Sequence, residues 1–394
     1  MDCGALQSPV TSAASIALPR VEVLLDHVVH NLRQVRQRVP EGIGIIAVVK
    51  DRAYGLGAVA VARALECEGV AFFAVARTAE ARALREAGIV TPILVLGEAT
   101  CDDLRWGAPA KVHFTVNSVS DLRLWSDAGC PVNVHCHVDT GMNRVGVLPS
   151  EIGEMVEALH AGRGMHVCGV YTHLASADVV GTPTVGVQLR AFADARAALS
   201  SAGHAPLHVH VANSAGLARF PVDGVTLVRP GIALYGCNPD PAQDFGLGLK
   251  TVVNLKASVV RVKRVAAGSP VSYGGAYVTP TDTVIATIGI GYGQGVPRLL
   301  CGRGTVLIRG RRYRIAGRVT MDYVMVDAGQ GSDIAPADEA VVFGYQGNDC
   351  ITIDEVALHC RTIGYEVLCN LSTSLPRQYV VAGRTVLSLD GLQI

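Results

Sequence analysis

Eight short runs of β-branched and other apolar residues, separated by helical stretches, constrain the fold of this chain more than any other feature of its sequence. The stretches between them are rich in Ala, Leu and Arg at helical spacing, and segments such as TAEARALREAG end in a glycine that suits a helix C-cap. Eight strand–helix units favour a (β/α)8 TIM barrel over an open Rossmann sheet, which usually has fewer strands and a GxGxxG turn. The runs are 42–49, 71–76, 92–97, 112–116, 132–139, 165–173, 207–213 and 224–229.

The pattern changes after residue 245, where the helical intervals stop and strands are separated by Gly, Pro and Asp turns. This pattern predicts a second, mostly β domain, and 394 residues are enough for two domains. The predicted fold class is therefore α/β, with an N-terminal barrel followed by a mostly β C-terminal domain. We expect a loose tail at 1–16, the barrel domain at 17–245 and the β-rich domain at 246–394, with a strand leading into the first helix within 18–39.

Charge and cysteine content narrow the classes of partner. The 34 Lys and Arg residues balance 34 Asp and Glu residues, so nothing favours an electrostatic grip on nucleic acid or on an anionic membrane. No apolar run reaches the roughly 18 residues needed to span a bilayer, and residues 1–16 lack the regions of a secretory signal. The 11 cysteines form no CxxC pair and suit reduced thiols. We expect a cytoplasmic protein that binds small molecules or copies of itself.

Polar and basic residues stand where the predicted barrel strands end, which is where TIM barrels carry their chemistry. Lys50 closes the first strand. The backbone N–H groups of Ser214, Gly231 and Ile232 would lie in the loops after strands seven and eight, the usual phosphate-binding place of this fold. A lysine facing a phosphate site across a barrel indicates a Schiff base to pyridoxal 5′-phosphate. The other strand-end residues are Arg144, His173, Asn213 and Arg229.

The histidines raise an alternative function. His135 and His137 lie two apart on strand five, His208 and His210 do the same on strand seven, and His173 ends strand six. Such clustering is typical of a metal-dependent TIM-barrel hydrolase, in which a zinc-like ion activates water. The absence of an acidic residue at the end of strand eight disfavours this alternative, which would also leave the phosphate-type loop unexplained. We expect no metal site.

The sequence resembles the alanine racemases, a family of pyridoxal-phosphate enzymes with a barrel followed by a β domain. The resemblance runs from about residue 18 to near the C-terminus. Each motif is modest alone, but their joint order is specific. The motifs, in family order, are AVVKDRAYGLG, VDTGMNRVG, THLASAD, ANSAGLARFP, VRPGIALYG, VSYGGAY, IGIGYGQGVPR, GRVTMDYVMVD and GYEVLC.

The resemblance implies a set of cofactor-binding residues. Lys50 would form the Schiff base, His173 would pack beside the pyridine ring and Arg229 would face the ring nitrogen. A guanidinium can only donate hydrogen bonds, so the ring nitrogen would stay unprotonated and the cofactor would be a weaker electron sink. The residues that would bind the phosphate are Tyr54, Ser214, Gly231, Ile232 and Tyr365.

The resemblance also assigns the catalytic roles. Lys50 would exchange the Cα proton of the D-isomer and Tyr273 that of the L-isomer, with both groups tuned by burial and neighbours. Arg144 and the backbone of Met321 would clamp the substrate carboxylate. Family architecture would place Tyr273, Tyr292, Met321 and Tyr365 in the partner's active site, which requires a homodimer. The implied supporting residues are His137, Asn213, Tyr292, Asp322 and His210, the last hydrogen-bonded to Tyr273.

The chain departs from the family pattern at His137, where a lysine, often carbamylated, is common. An imidazole cannot supply the negative charge of a carbamate, so our hypothesis is that a bound anion or a nearby carboxylate holds Arg144 instead. Gln294 also stands where an acid is frequent, and these two departures keep a serine or broad-specificity amino-acid racemase open as an alternative. The expected function is interconversion of L- and D-alanine, which supplies D-alanine for peptidoglycan.

Overall fold

The computed structural model describes residues 16–162, 164–220 and 224–390, and these residues form two compact units. We call the first the barrel unit, which contains residues 21–254 and 352–390, and the second the β unit, which contains residues 16–20 and 255–351. The units do not follow the expected domain limits throughout, because residues 352–390 group with the barrel. Residues 1–15 of the expected tail lie outside the described residues.

Eight parallel strands close the barrel, and each predicted run contributes one of them. The strands are mostly buried on both faces, as expected of a parallel sheet covered by helices, and polar side chains such as His113, His135 and His210 are buried among their apolar residues. Pairing of Gly44 with Leu227 joins the first barrel strand to the last. The barrel prediction is therefore confirmed. The strands are β2 (Gly44–Val48), β3 (Phe72–Val75), β4 (Ile93–Val95), β5 (Val112–Val116), β6 (Val132–His137), β7 (Met165–Tyr171), β8 (His208–His210) and β9 (Leu227–Val228).

The helices of the barrel begin where the sequence supplies caps. Thr100 and Ser118 each accept a hydrogen bond from a backbone N–H three residues on, and Asn213 does the same at the start of a short helix. Of the helices that the structure describes, none has the length and apolar character to cross a bilayer. They are α1 (Leu25–Arg38), α2 (Lys50–Tyr54), α3 (Ala58–Glu66), α4 (Thr78–Glu86), α5 (Cys101–Gly107), α6 (Val119–Trp125), α7 (Ile152–Ala161), α8 (Thr184–Ser201) and α9 (Ser214–Arg219).

Three further strands and two helices complete the barrel unit. The predicted strand before the first helix is β1 (Arg20–Leu24), which runs directly into α1. It pairs in parallel with β19 (Arg377–Val381), and β19 pairs in antiparallel fashion with β20 (Arg384–Leu389). The two C-terminal helices are α10 (Ile353–Cys360) and α11 (Gly364–Cys369).

The β unit is an antiparallel sheet with short turns, which confirms a mostly β second part of the chain. Its strands follow the order β15-β14-β17-β10-β13-β16, β18 pairs with β17, and β11 and β12 form a separate hairpin. Val271, Ile285 and Ala316 form a small buried cluster within it. The strands are β10 (Val253–Val265), β11 (Pro270–Val271), β12 (Tyr277–Val278), β13 (Thr283–Ile288), β14 (Thr305–Ile308), β15 (Arg311–Arg314), β16 (Val324–Asp327), β17 (Glu339–Gln346) and β18 (Asp349–Ile351).

Candidate active site

A cavity of about 300 Å³ opens at the C-terminal ends of the barrel strands, within the barrel unit. It gathers most of the residues that the sequence analysis placed at strand ends, although these come from distant parts of the chain. Sequence reasoning did not single out Tyr171, which also lines it. The lining residues are Val48, Lys50, Tyr54, Leu96, His137, Arg144, Val145, Tyr171, His173, Asn213, Ser214, Arg229, Gly231 and Tyr365.

Lys50 stands at the start of a left-handed turn. The four residues that follow it, Asp51 to Tyr54, all have φ between 52° and 57°, and Gly55 ends the turn with φ 85°. A left-handed conformation costs roughly 1–2 kcal/mol for each non-glycine residue, so this segment stores strain next to the lysine. Backbone hydrogen bonds hold it, including Gly57 N–H to the Arg52 carbonyl at 2.7 Å.

Arg229 lines the cavity and is only 4% exposed. Its guanidinium donates to the backbone carbonyls of Thr172 and His210, both at 2.8 Å, and to the ring nitrogen Nδ1 of His210 at 2.9 Å. Burial lowers the pKa of Arg229 to about 10, which still leaves it cationic at neutral pH. No carboxylate pairs with it among the residues that the structure describes. Carbonyl and imidazole dipoles therefore stabilise this buried charge.

The histidines around Arg229 are neutral bases. Burial first, and then the charge of Arg229, lower the pKa values of His173 and His210 well below the ordinary value, and that of His137 to about 3. The two ring nitrogens of His210 lie within hydrogen-bonding distance of Arg229 and His135. They leave none for the hydrogen bond to Tyr273 that the resemblance implies for His210. This expectation is corrected by the geometry, because both nitrogens point into the barrel network.

Arg144 lies on a loop that a single carboxylate organises. Asp139 accepts backbone hydrogen bonds from residues 141–144 at 2.8–3.0 Å. Burial opposes ionisation of this carboxyl, but the four N–H groups outweigh it and lower its pKa. Within the described ranges no acceptor contacts the Arg144 guanidinium itself. Our hypothesis is that a nearby carboxylate or a bound anion holds Arg144. The carboxylate of Asp139 holds the backbone of the loop rather than the Arg144 guanidinium, and the bound anion stays a prediction.

His137 has its own partners. Its ring stacks on Tyr171 at 4.3 Å between centroids, with 9° between the planes. Its Nδ1 lies 2.9 Å from the side-chain oxygen of Asn117. Because that oxygen can only accept, Nδ1 carries the proton of the neutral ring. His137 is therefore held as a fixed, uncharged wall of the cavity.

The opposite end of the cavity is rich in neutral hydrogen-bond donors. The rings of Tyr54 and Tyr365 lie 5.9 Å apart, and burial raises the pKa of both phenols, so both remain protonated. The Ser214 hydroxyl accepts from Gly231 N–H at 3.0 Å and from Ala233 N–H at 3.3 Å. A Cβ atom on Gly231 would stand 2.5 Å from the Tyr54 hydroxyl oxygen. This end is suited to a compact, multiply charged anion, and glycine keeps the space open.

The remaining expected residues divide between the units. Tyr273, Tyr292 and Met321 belong to the β unit and are 70%, 43% and 56% exposed, and Asp322 follows Met321 on the same exposed turn. None of these four lines the cavity in the barrel unit. Tyr365 does line it, on α11 of the barrel unit. The resemblance implies two places for Tyr365, beside the phosphate with Tyr54 and in the partner's site; α11 carries its ring against Tyr54 of its own chain, and the place in the partner's site stays a prediction. Ile232 follows Gly231 at the start of a short 3-10 helix and is fully buried.

The histidines do not form a metal centre. Across residues 16–162, 164–220 and 224–390, no group of three His, Cys, Asp or Glu side chains is arranged to hold a metal ion. His135 and His210 instead bond to each other at 2.8 Å. The clustering that raised the hydrolase alternative is thus a hydrogen-bonded network.

Comparison with known proteins agrees with this architecture. Residues 23–239 match the family model for the alanine racemase N-terminal domain, and residues 252–379 match that for the C-terminal domain. The chain is 39% identical to an alanine racemase of Desulforamulus reducens over 91% of its length and 98% of the relative's. It is 37% identical to alanine racemase 2 of Bacillus subtilis, over 92% and 95% of the two chains.

Solved structures give the same result. The alanine racemase of the D-cycloserine producer Streptomyces lavendulae superposes with a TM-score of 0.87 at 36% identity, over 93% of this chain and 98% of that one. The alanine racemase of Bacillus anthracis with bound L-Ala-P also has a TM-score of 0.87, at 34% identity and over 97% and 100% of the chains. The chain belongs to the alanine racemase family.

Proposed function

We propose that this protein interconverts L- and D-alanine with pyridoxal 5′-phosphate as its cofactor. The observation that carries the proposal is that one cavity is lined by Lys50 at the end of the first barrel strand, by Arg229 and by the hydrogen-bond donors around Tyr54. Family membership supplies the reaction, and the cavity supplies residues that suit it. A barrel hydrolase would need a metal-ligand set that the described residues do not provide.

The residues of the cavity fit the cofactor. The hydroxyls of Tyr54 and Tyr365, with the backbone N–H groups of Ser214 and Ile232, would hold the phosphate at the donor-rich end. The Gly231 N–H would join them by exchanging its hydrogen bond to the Ser214 hydroxyl for one to the phosphate. Lys50 would hold the cofactor's aldehyde carbon, and Arg229 would donate to its ring nitrogen. When bound, pyridoxal phosphate withdraws electrons from the α-carbon of an attached amino acid and makes the Cα–H bond acidic. Because Arg229 can only donate, it keeps a proton off that ring nitrogen and disfavours side reactions that need a stronger electron sink.

Proton exchange at Cα needs one base on each face of the substrate. Lys50 serves one face, and we assign the other to Tyr273 of the partner subunit in a homodimer. The 70% exposure of Tyr273 on the β unit leaves it available to a second chain. From D-alanine, Lys50 takes the Cα proton and Tyr273 of the partner subunit delivers a proton to the other face. From L-alanine the two roles are exchanged.

His173 is better placed than His210 to bond the phenol oxygen of that tyrosine. Its Nδ1 lies 3.3 Å from the Arg229 guanidinium and must accept, because arginine cannot. The proton of the neutral imidazole therefore sits on Nε2. Since His173 lines the cavity, this N–H can donate to a phenolate and so assist its deprotonation.

The Arg144 guanidinium supports recognition of the substrate carboxylate. It lines the cavity and has no acceptor within the described ranges, so it can form a bidentate pair with a carboxylate. The backbone N–H of the partner's Met321 would complete the clamp. We further propose that the product D-alanine supplies peptidoglycan and that the protein works in the cytoplasm, where its free cysteines stay reduced.

Solvent-deuterium exchange at Cα tests the proposal. Wild-type protein should exchange the α-proton of L-alanine and form D-alanine, Lys50→Ala should abolish both, and Tyr273→Phe should reduce exchange from L-alanine far more than from D-alanine. Borohydride trapping followed by mass spectrometry should find the cofactor on Lys50. L-serine and L-lysine assayed alongside decide between an alanine racemase and a broad-specificity enzyme. A protein that exchanges no amino acid and carries no adduct would contradict the proposal.

A further inference from the structure

Three imidazoles form a hydrogen-bonded chain that leads from Arg229 into the interior of the barrel. The Arg229 guanidinium lies 2.9 Å from His210 Nδ1, His210 Nε2 lies 2.8 Å from His135 Nδ1, and His135 Nε2 lies 3.0 Å from His113 Nδ1. These side chains come from β8, β6 and β5, so the chain crosses the barrel lumen rather than following one strand. Of the three rings, none lines the cavity.

The arginine at one end determines the protonation of every ring. A guanidinium has no lone pair to accept with, so His210 Nδ1 must be the acceptor and His210 carries its proton on Nε2. That N–H donates to His135 Nδ1, which in turn places the proton of His135 on Nε2. The same step fixes His113. Its Nε2 lies 3.4 Å from the side-chain nitrogen of Asn133, whose oxygen lies 3.3 Å from the Cys168 thiol, so the proposed tautomer requires the Asn133 amide to be turned over and present its oxygen to His113 Nε2–H. All three rings are therefore predicted to be neutral Nε2–H tautomers, with their Nδ1 lone pairs facing towards Arg229.

The surroundings keep these rings neutral. His135 and His210 are 0% exposed and His113 is 8% exposed. Burial is the largest cause that lowers the pKa of each, to about 4 for His113 and well below the ordinary value for the other two. A chain of neutral rings aligned in this way presents a row of parallel dipoles to the guanidinium. The negative end of that row meets a buried cation that has no carboxylate partner among the described residues.

We propose that His113 and His135, which do not line the cavity, are positioning residues that hold Arg229 in place by accepting, in turn, the N–H groups of the tautomer that Arg229 requires of His210. If the chain ended at His210, its Nε2–H would be buried without an acceptor, and moving that proton to Nδ1 would set it against the Arg229 guanidinium. With His135 and His113 in line, every N–H of the pattern that Arg229 requires has an acceptor, whereas the reversed pattern matches the imidazoles to one another but sets two donors against each other at Arg229. The effect on catalysis rests on the proposed function of Arg229, whereas the tautomer pattern does not.

His208 provides a matched control. Its ring stacks on His135 with centroids 5.6 Å apart and 16° between the planes. The ring forms no hydrogen bond with any residue that the structure describes. His208→Leu therefore removes an imidazole from the same cluster without breaking the chain. His113→Asn is a second control, because an asparagine oxygen can take the place of Nδ1 as an acceptor for His135, whereas His113→Leu removes the acceptor.

The first test reads the tautomers directly in the wild-type holoenzyme. Long-range 1H–15N correlation spectra of protein labelled with 15N-histidine, assigned by single substitutions, should give a protonated Nε2 and an unprotonated Nδ1 for all three rings. An Nδ1–H tautomer or an imidazolium at any of the three positions would overturn the proposal. This result does not depend on turnover, so failure of the racemase assignment alone would leave it unchanged.

The second test asks whether the chain reaches Arg229. In protein loaded with 15N-labelled pyridoxal phosphate, His113→Leu should shift the ring-nitrogen resonance, whereas His113→Asn and His208→Leu should not. We expect His113→Leu to lower kcat for alanine about tenfold, with KM within about twofold of wild type, as for loss of a transition-state interaction. Equal effects of His113→Leu and His208→Leu on both readouts would show a packing role only and overturn the proposal.

Discussion

Replacing Gly231 by alanine should test how tightly the donor-rich end of the cavity is built. The φ and ψ angles of Gly231 are −115° and −91°, so its φ lies outside the left-handed region. The obstacle is Tyr54, whose hydroxyl oxygen would stand 2.5 Å from the new Cβ, while its Cζ atom would stand at 3.5 Å. Ordinary contacts begin near 3.4 Å, so the hydroxyl must retreat by about 0.9 Å.

Tyr54 has little freedom to make that movement. It is 5% exposed, and its ring packs on Tyr235 with centroids 4.5 Å apart. Overpacking of this kind typically costs about 1–3 kcal/mol, and we expect Gly231→Ala to destabilise the protein by that amount. In a Tyr54→Phe background the nearest ring atom is already at an ordinary distance. The same substitution should then lose the steric part of its cost, giving a coupling of at least ~1 kcal/mol in the double-mutant cycle.

Urea unfolding of the four cofactor-free proteins, followed by circular dichroism, measures this coupling. Titration with pyridoxal phosphate should show weaker binding for Gly231→Ala, because the tyrosine hydroxyl and the backbone N–H group are displaced together. Gly153→Ala is the control: a Cβ there meets nothing within 4 Å, so it should cost no stability and leave cofactor binding unchanged. If Gly231→Ala costs the same with tyrosine and with phenylalanine at position 54, the steric reasoning is refuted.

Three further predictions concern the strained turn, its clamp and the buried histidines. Arg52→Gly should be about 1 kcal/mol more stable than Arg52→Ala, because only glycine relieves the positive φ of 57°; equal urea midpoints would contradict this. Arg377 is fully buried and donates to the carbonyls of Ser372, Leu375 and Gly55, the last of which ends the strained turn. Arg377→Met should lower the free energy of unfolding by at least ~2 kcal/mol in thermal unfolding, because it leaves these carbonyls unpaired. A loss below ~0.5 kcal/mol would argue against a role of Arg377 in clamping the turn. Stability should fall as pH drops below 6.5, because the unfolded chain takes up a proton at His137 before the folded protein, whose pKa there is about 3. Between pH 6.5 and about 3, His137→Asn should reduce the pH dependence of the free energy of unfolding by up to ~1.4 kcal/mol per pH unit. An unchanged pH dependence in denaturation experiments would count against a buried neutral ring at this position.

Much of the fold and of the site follows from local sequence. The eight β-branched runs mark the eight barrel strands because strands buried on both faces need continuous apolar residues. Polar residues that end such runs must lie together at one barrel mouth, since parallel strands present their C-terminal ends on the same side. Residue order alone therefore predicts that Lys50, Arg144, His173, Ser214 and Arg229 share one cavity, as they do.

Tertiary structure alone decided how those residues are held. The segment KDRAYG contains a single glycine, so nothing in it signals four successive residues with positive φ. Which imidazole meets Arg229, and which meets Tyr171 or Asn117, depends on strand register and on what faces across the barrel lumen. Such contacts join residues up to 75 positions apart, as in His135 and His210, and no local pattern encodes them. Residue type and order thus determined the barrel and its reactive groups, whereas packing across the lumen determined their tautomers, their charges and their partners.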